Sequence, residues 1–166
     1  MKTAAALLLT LGLAACGGSY MNTKNAEPPT PAPEDKEADW RLYGQLPDVE
    51  TKVDFNSIET DDADGYNEPL VYVWVLRTFK EDQQSDFKDE DDYRKEYDRF
   101  AIQCAKGEMA GIAVERRDKE DYETSRRDVP GFQWVFEPTG TDNYKADFLR
   151  QVCGLAKQKD AADSKG

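Results

Sequence analysis

The stretch from Leu70 to Thr78 constrains the fold more than any other. Val71, Val73 and Val75 alternate with Tyr72, Trp74 and Leu76, so an extended strand here is apolar on both sides. A strand facing water on one side alternates apolar with polar residues. One that is apolar on both must be central and covered on both. One cover can be a helix; the other can be a loop or a second subunit.

The helix is read from the C-terminal end. Tyr144, Phe148 and Val152 recur every fourth residue, and Leu149, Cys153 and Ala156 complete one apolar stripe. Thr139-Gly140-Thr141-Asp142 precedes it with helix-start chemistry, which predicts Thr141 or Asp142 as the N-cap. Cys153 lies within the stripe. Beyond Gln158 the chain is charged and small, and residues 158–166 are expected to form a disordered tail.

Further strands are predicted at Trp40-Arg41-Leu42 and at Lys52-Val53-Asp54-Phe55. Tyr93 to Ala105 settles into period two, with Phe100, Ile102 and Cys104 sharing one face. After a turn centred on Gly107, Ala110 to Arg116 continues with Ile112 and Val114 inward. Arg116-Arg117 and Arg126-Arg127 flank a polar stretch expected to be hairpin ends or loop, and Phe132 to Phe136 reads as a last short strand closed by Pro138. The expected fold is α+β: an antiparallel sheet of about five to six strands with the C-terminal helix packed on one face. A domain over residues 39–157 is long enough for a modest core.

The N-terminus gives an address. Lys2 supplies a positive start, and Ala4 to Leu13 is apolar but too short to span a bilayer. Leu13-Ala14-Ala15-Cys16 then resembles the lipobox of bacterial lipoproteins. That resemblance implies a signal peptide over residues 1–15 and acylation of Cys16 as the mature N-terminus. Stable anchoring takes more than one acyl chain, and lipoproteins of this kind carry two or three. Gly17 follows the cysteine where Asp is common in proteins kept at the inner membrane, so the resemblance favours the outer one. Residues 16–38 hold Gly17-Gly18-Ser19 and then Pro28, Pro29, Pro31 and Pro33, a composition expected to form a flexible and then semi-extended tether.

Export bears on the two remaining cysteines. In an oxidising compartment an even pair, Cys104 and Cys153, reads as a disulfide, with two free thiols as the competing reading. The helix would then pack with Cys153 over Cys104.

Charge excludes some functions. With 34 acidic residues against 22 basic ones the formal net charge is −12, which disfavours nucleic acid as a partner. Anionic head groups would also repel the chain, so an acyl anchor has to hold it at a membrane. There is no histidine, which removes the commonest general base and metal ligand together. Asp62-x-Asp64-Gly65 echoes part of a calcium loop. Its twelfth position is Val71 where a bidentate Glu is needed, so a plain Asp-Gly turn is expected and no metal site is assigned. Close carboxylate pairs such as Asp61 with Asp64, or Asp91 with Asp92, imitate a hydrolase dyad, but in so acidic a chain they arise by abundance. No catalytic residue and no cofactor is predicted. The acidic run Glu81 to Asp92 is expected to be a solvated loop, with a cation or basic-partner patch as its functional alternative.

From Trp40 to Leu155 the chain resembles the surface-adhesin protein E family of bacterial lipoproteins. The residues that carry this are Trp40, Val53-Asp54-x-x-Ser57-Ile58, Val73-Trp74-Val75, a strand ending in Cys104, and Trp134-x-x-x-Pro138 before a helix holding Cys153. The run Asn143-Tyr144-x-x-x-Phe148-Leu149-x-x-x-Cys153 is equally similar to the uncharacterised CNP1-like lipoproteins. Both resemblances imply a small antiparallel sheet with a disulfide-tied C-terminal helix. Only the first implies adhesion to host matrix proteins such as vitronectin and laminin. The functional expectation is an outer-membrane binding module for a protein partner, with Tyr66, Tyr93, Tyr97 or Tyr122 as candidate exposed anchors. The alternative is a periplasm-facing accessory lipoprotein that binds an envelope component or small ligand. A homodimer is a further possibility, because the Leu70–Thr78 strand is apolar on both faces.

Overall fold

The structure, a computed structural model, describes residues 31–85 and 90–164. The signal segment, Cys16 and the tether up to residue 30 lie outside the described residues, as do 86–89 of the acidic run and the last two residues.

Eight strands and one long helix follow in chain order. They are β1 (Trp40–Gln45), β2 (Val49–Asp54), β3 (Glu59–Asp61), β4 (Leu70–Gln83), β5 (Tyr93–Gln103), β6 (Glu108–Arg117), β7 (Glu123–Asp128), β8 (Glu137–Pro138) and α1 (Tyr144–Asp163). All pair antiparallel in one sheet of order β1-β2-β4-β5-β6-β7, with β3 also on β4 and β8 also on β6. The sheet is thus a meander with its most apolar strand inside, as the two-sided pattern of β4 requires.

The two covers of β4 differ. Val71, Val73 and Val75 pack with Ile102 under Phe148, Leu149, Val152 and Ala156 of α1. Cys153 bridges to Cys104, with the Cα atoms 5.9 Å apart across a sequence separation of 49. On the opposite face Trp74 and Leu76 pack with Tyr97, Ala113 and Ala32, and Leu70 lies in a cluster with Ala101, Ala110 and Ile112. Tyr66, Trp134 and Phe136 close that second cluster. The second cover is therefore the chain's own loops and N-terminal segment, so the feature that suggested a second subunit is satisfied within one chain.

Four expectations are corrected. The Phe132–Phe136 segment is not a strand: Gly131–Gln133 forms a 3-10 turn, and the paired residues are Glu137 and Pro138. Alternating aromatics imitated period two, but the Trp134 indole N–H donates to the Val129 carbonyl at 2.7 Å and folds the segment over Tyr66 and Tyr72. The N-cap is Asn143 rather than Thr141 or Asp142. Its Oδ1 accepts from the Ala146 N–H at 3.0 Å while its Nδ2 donates to the Thr139 carbonyl at 2.6 Å. Gly140, at φ +77°, makes that arrangement possible, since a Cβ there would lie 2.9 Å from Asn143 Nδ2. The acidic run is part strand, because β4 extends through Gln83. Finally, α1 runs on to Asp163 instead of fraying at Gln158. Lys159 Nζ donates to the carbonyls of Phe55, Asn56 and Ile58 at 3.2, 3.2 and 2.6 Å, which holds the polar end of the helix to the β2–β3 corner.

That corner explains the phrase Val53-Asp54-x-x-Ser57-Ile58. Asp54 is buried, and its Oδ1 accepts the Asp39 and Asn56 N–H groups at 2.8 and 3.0 Å. Ser57 Oγ donates to the Asp54 carbonyl and accepts from the Trp74 N–H, both at 2.8 Å, which stitches the corner to β4. Asp54→Ala removes a buried carboxylate from two part-buried N–H donors and is expected to cost about 1–3 kcal/mol, read from urea denaturation midpoints. A change below a few tenths of a kcal/mol would show that water replaces the carboxylate at no cost.

Candidate functional site

The helix covers only part of its face of the sheet. It enters at Tyr144 and runs over the Val71–Val75 half of β4, so the continuation of that face past Val75 is open. The opening is a cleft of about 810 Å³. One wall is the β1–β2 corner, with Gly44, Leu46 and Val49. The other comprises Pro138, Thr139 and the first turn of α1, with Tyr144, Lys145 and Phe148. The floor is Thr51, Val75, Arg77, Asp98, Phe100 and Met109, from strands β2, β4, β5 and β6.

Aromatic packing sets the helix-side wall. Tyr43 meets the rings of Tyr144 and Phe148 edge-on at 5.0 and 5.4 Å, and Phe148 in turn meets Phe100 at 6.1 Å. The Tyr43 hydroxyl donates to Asp147 Oδ2 at 3.0 Å, which pins the first helical turn to β1. Burial, and then Asp147, push the Tyr43 phenol well above its ordinary range, so it stays a donor. Leu46 and Tyr144 stand 68% and 55% exposed at the rim.

The polar end of the floor is an ion-pair ladder. Arg77 follows Val71, Val73 and Val75 on the same face and meets Asp98 Oδ2 through Nε and Nη2 at 3.1 and 2.8 Å, and Glu96 through Nη2. Arg116 Nε continues to Glu96 Oε2 at 2.8 Å, and Nη1 reaches Ser85 Oγ at 3.2 Å and Glu90 Oε2 at 3.4 Å. Arg127 pairs with the other oxygen of Glu90. Burial raises the Asp98 carboxyl above the usual carboxylate range; Arg77 opposes the shift and Glu96 adds to it. Glu90 is held below its range, first by Ser85 and then by Arg127. Positive and negative groups balance along the ladder. The cleft therefore offers an apolar trough ended by a neutralised guanidinium–carboxylate pair, a surface that seats an apolar group and orients a polar one beside it.

Of the residues singled out from sequence, Cys104 and Cys153 are brought together, and Cys16 lies outside the described residues. The tyrosine anchors are mostly not exposed. Tyr97 and Tyr93 are buried and Tyr66 is packed on Trp134 and Phe136; Tyr122 alone of the four is largely exposed. Aromatics in period-two strands point inward as readily as outward: Tyr97 is buried in the second face of the sheet, while Tyr93 packs edge-on against Phe79 and beneath the Arg116 guanidinium. Asp61, Asp64, Asp91 and Asp92 are exposed, and Asp64-Gly65 forms a turn, with Gly65 at φ +89°. Among the described residues no group of three or more His, Cys, Asp or Glu side chains is placed to hold a metal ion. Part of the acidic run is spent internally, Asp82 on Arg94 at 2.8 Å and Glu90 on Arg116 and Arg127. Arg77 and Asp98 were missed. Their signal was a charge continuing the period-two apolar face of a strand.

No family model matches the chain, and neither does any curated protein or solved structure. Fold and site together define a small disulfide-tied α+β module with a ligand-sized cleft beside the start of its helix.

Proposed function

We propose that this protein is an exported lipoprotein, held at the bacterial outer membrane by acyl chains on Cys16. It acts without catalysis as a binding module for a protein partner. The observation that carries the binding reading is the cleft, with Leu46 and Tyr144 exposed at its mouth above a floor apolar at Val75, Phe100 and Met109 and polar at Arg77 and Asp98. Tyrosine is among the side chains that dominate protein–protein binding energy, and apolar neighbours such as Leu46 exclude water around such an anchor. The resemblance to the surface-adhesin protein E family supports matrix proteins, vitronectin and laminin, as the partners to test first.

The test uses cells carrying the full-length protein on surfaces coated with vitronectin or laminin. Leu46→Asp is expected to reduce retention about tenfold or more, since an apolar rim contact is replaced by a charge facing an apolar pocket. Retention unchanged by Leu46→Asp and by Tyr144→Ser would overturn the cleft as the binding surface. Protease added to intact cells separates the two orientations. Digestion supports the adhesin reading, and full protection supports the periplasm-facing alternative. That second reading has its own support: about 810 Å³ lies within the roughly 300–1,000 Å³ typical of small-molecule pockets.

A further inference from the structure

The expected tether, residues 16–38, does not end where the sequence placed it. Residues 31–39 cross the sheet on the face opposite the helix, from β6 to the edge strand β1. At the β6 end Ala32 is 4% exposed against Trp74, Leu76 and Tyr97, and its N–H donates to Glu115 Oε2 at 3.0 Å. At the β1 end the Glu37 carbonyl accepts from Asn56 Nδ2 at 3.0 Å, and the Asp39 N–H donates to Asp54 at 2.8 Å.

The groove is built for this segment. Glu115 is 2% exposed, held by Arg117 Nη2 at 2.5 Å on one oxygen and by Arg126 Nη1 at 3.5 Å on the other. A buried carboxylate needs its lone pairs filled, and the Ala32 N–H fills one. Pro31 and Pro33 have no N–H, so within that tripeptide only Ala32 can supply it, which fixes the register. The prolines also hold the chain extended in advance, which lowers the entropy lost on seating it. A side chain larger than a methyl group would meet the buried Trp74 and Tyr97. The cleft described above opens on the helix face, since Val75 and Arg77 point there while Trp74 and Leu76 point to the groove.

We propose that residues 31–39 are a clasp that makes the tether leave the domain from the face opposite the cleft. A protein anchored through Cys16 then turns its cleft away from the bilayer. This rests on the anchor reading for its orientation, and on the contacts of residues 31–39 alone for the clasp, that of Ala32 with Glu115 first among them. The chain between Cys16 and Pro31 spans at most ~50 Å even when fully extended, which bounds how far the clasped face can stand from the membrane.

Two measurements separate the parts. In the full chain carrying Cys16→Ala, amide exchange at Ala32 is expected to be protected. Glu115→Ala should speed it about tenfold or more, while Glu115→Gln, which keeps an acceptor oxygen, should retain most of the protection. Exchange at Ala32 as fast as in an unstructured peptide, or unaltered by Glu115→Ala, would overturn the clasp. In the acylated protein on nanodiscs with head-group spin-labelled lipid, amide signals of Glu34 and Glu123 should broaden more than those of Leu46 and Lys145. Ala32→Glu should abolish that difference while leaving the signals of β4 and α1 in place. Equal broadening on both faces of the unaltered protein overturns the orientation. No broadening at all overturns the anchor reading instead, and leaves the clasp to the exchange result.

Discussion

Replacing Cys104 with serine is expected to lower the thermal midpoint by on the order of 15 °C while leaving a cooperative transition. The bridge closes a sequence separation of 49, and the loop it closes contains β6, β7, β8 and the start of α1. In the chain-entropy model a cross-link over that span removes roughly 4 kcal/mol of denatured-state freedom. Against the roughly 5–15 kcal/mol that stabilises a typical domain, this is a large share. Each kcal/mol shifts the midpoint of a domain this size by roughly 4 °C. The helix should stay docked in the variant, because Phe148, Leu149, Val152 and Ala156 still bury on the valines of β4. Scanning the unaltered protein with and without reductant tests the same quantity. Reductant should reproduce the variant's midpoint and leave the variant itself unmoved. A shift of only one or two degrees would mean that packing alone seats the helix.

Much of this architecture was legible because its signals are local. Val71 to Leu76 announced a central strand, and the stripe from Tyr144 to Ala156 announced the helix; both rest on side-chain period, which burial enforces directly. The cysteine pairing followed from parity and compartment. What stayed hidden depends on partners far along the chain. Nothing near Gln158 reveals that Lys159 meets three carbonyls about a hundred residues away, so a charged helix end read as a frayed tail. Nothing in Pro31-Ala32-Pro33 reveals a carboxylate 83 positions on, so a docked segment read as free tether. The cleft was hidden for a further reason. It is the part of the sheet left open beyond the start of the helix, and where α1 lies across β4 depends on the Asn143 cap and the Tyr43–Asp147 contact together. Arg77 and Asp98 were the accessible clue, since two charges extending an apolar face mark where the cover stops.

Phe148 joins stability to the site, and Phe148→Ala carries the second large expected effect. The ring is 5% exposed, wedged between Tyr43 and Phe100, and forms one wall of the cleft. Truncating a buried phenylalanine costs about 3–5 kcal/mol, part from lost transfer energy and part from the void left behind. Here one side of that void is the existing cleft, so water can enter and the cost should fall toward the lower value. Phe148→Leu keeps most of the volume and is expected to cost under about 1.5 kcal/mol. The pair thus divides two roles. If the wall shapes binding, the leucine variant should lose retention on a coated surface while its urea midpoint hardly moves; if the ring only seats the helix, both readouts should fall together and only in the alanine variant. Combining Phe148→Ala with Cys104→Ser removes the Phe148–Phe100 contact and the disulfide while leaving Leu149 and Val152 over Ile102, and that protein is expected to lose helical signal at lower urea than the sheet. A single coincident transition in the double variant would show that the sheet cannot persist without its helix.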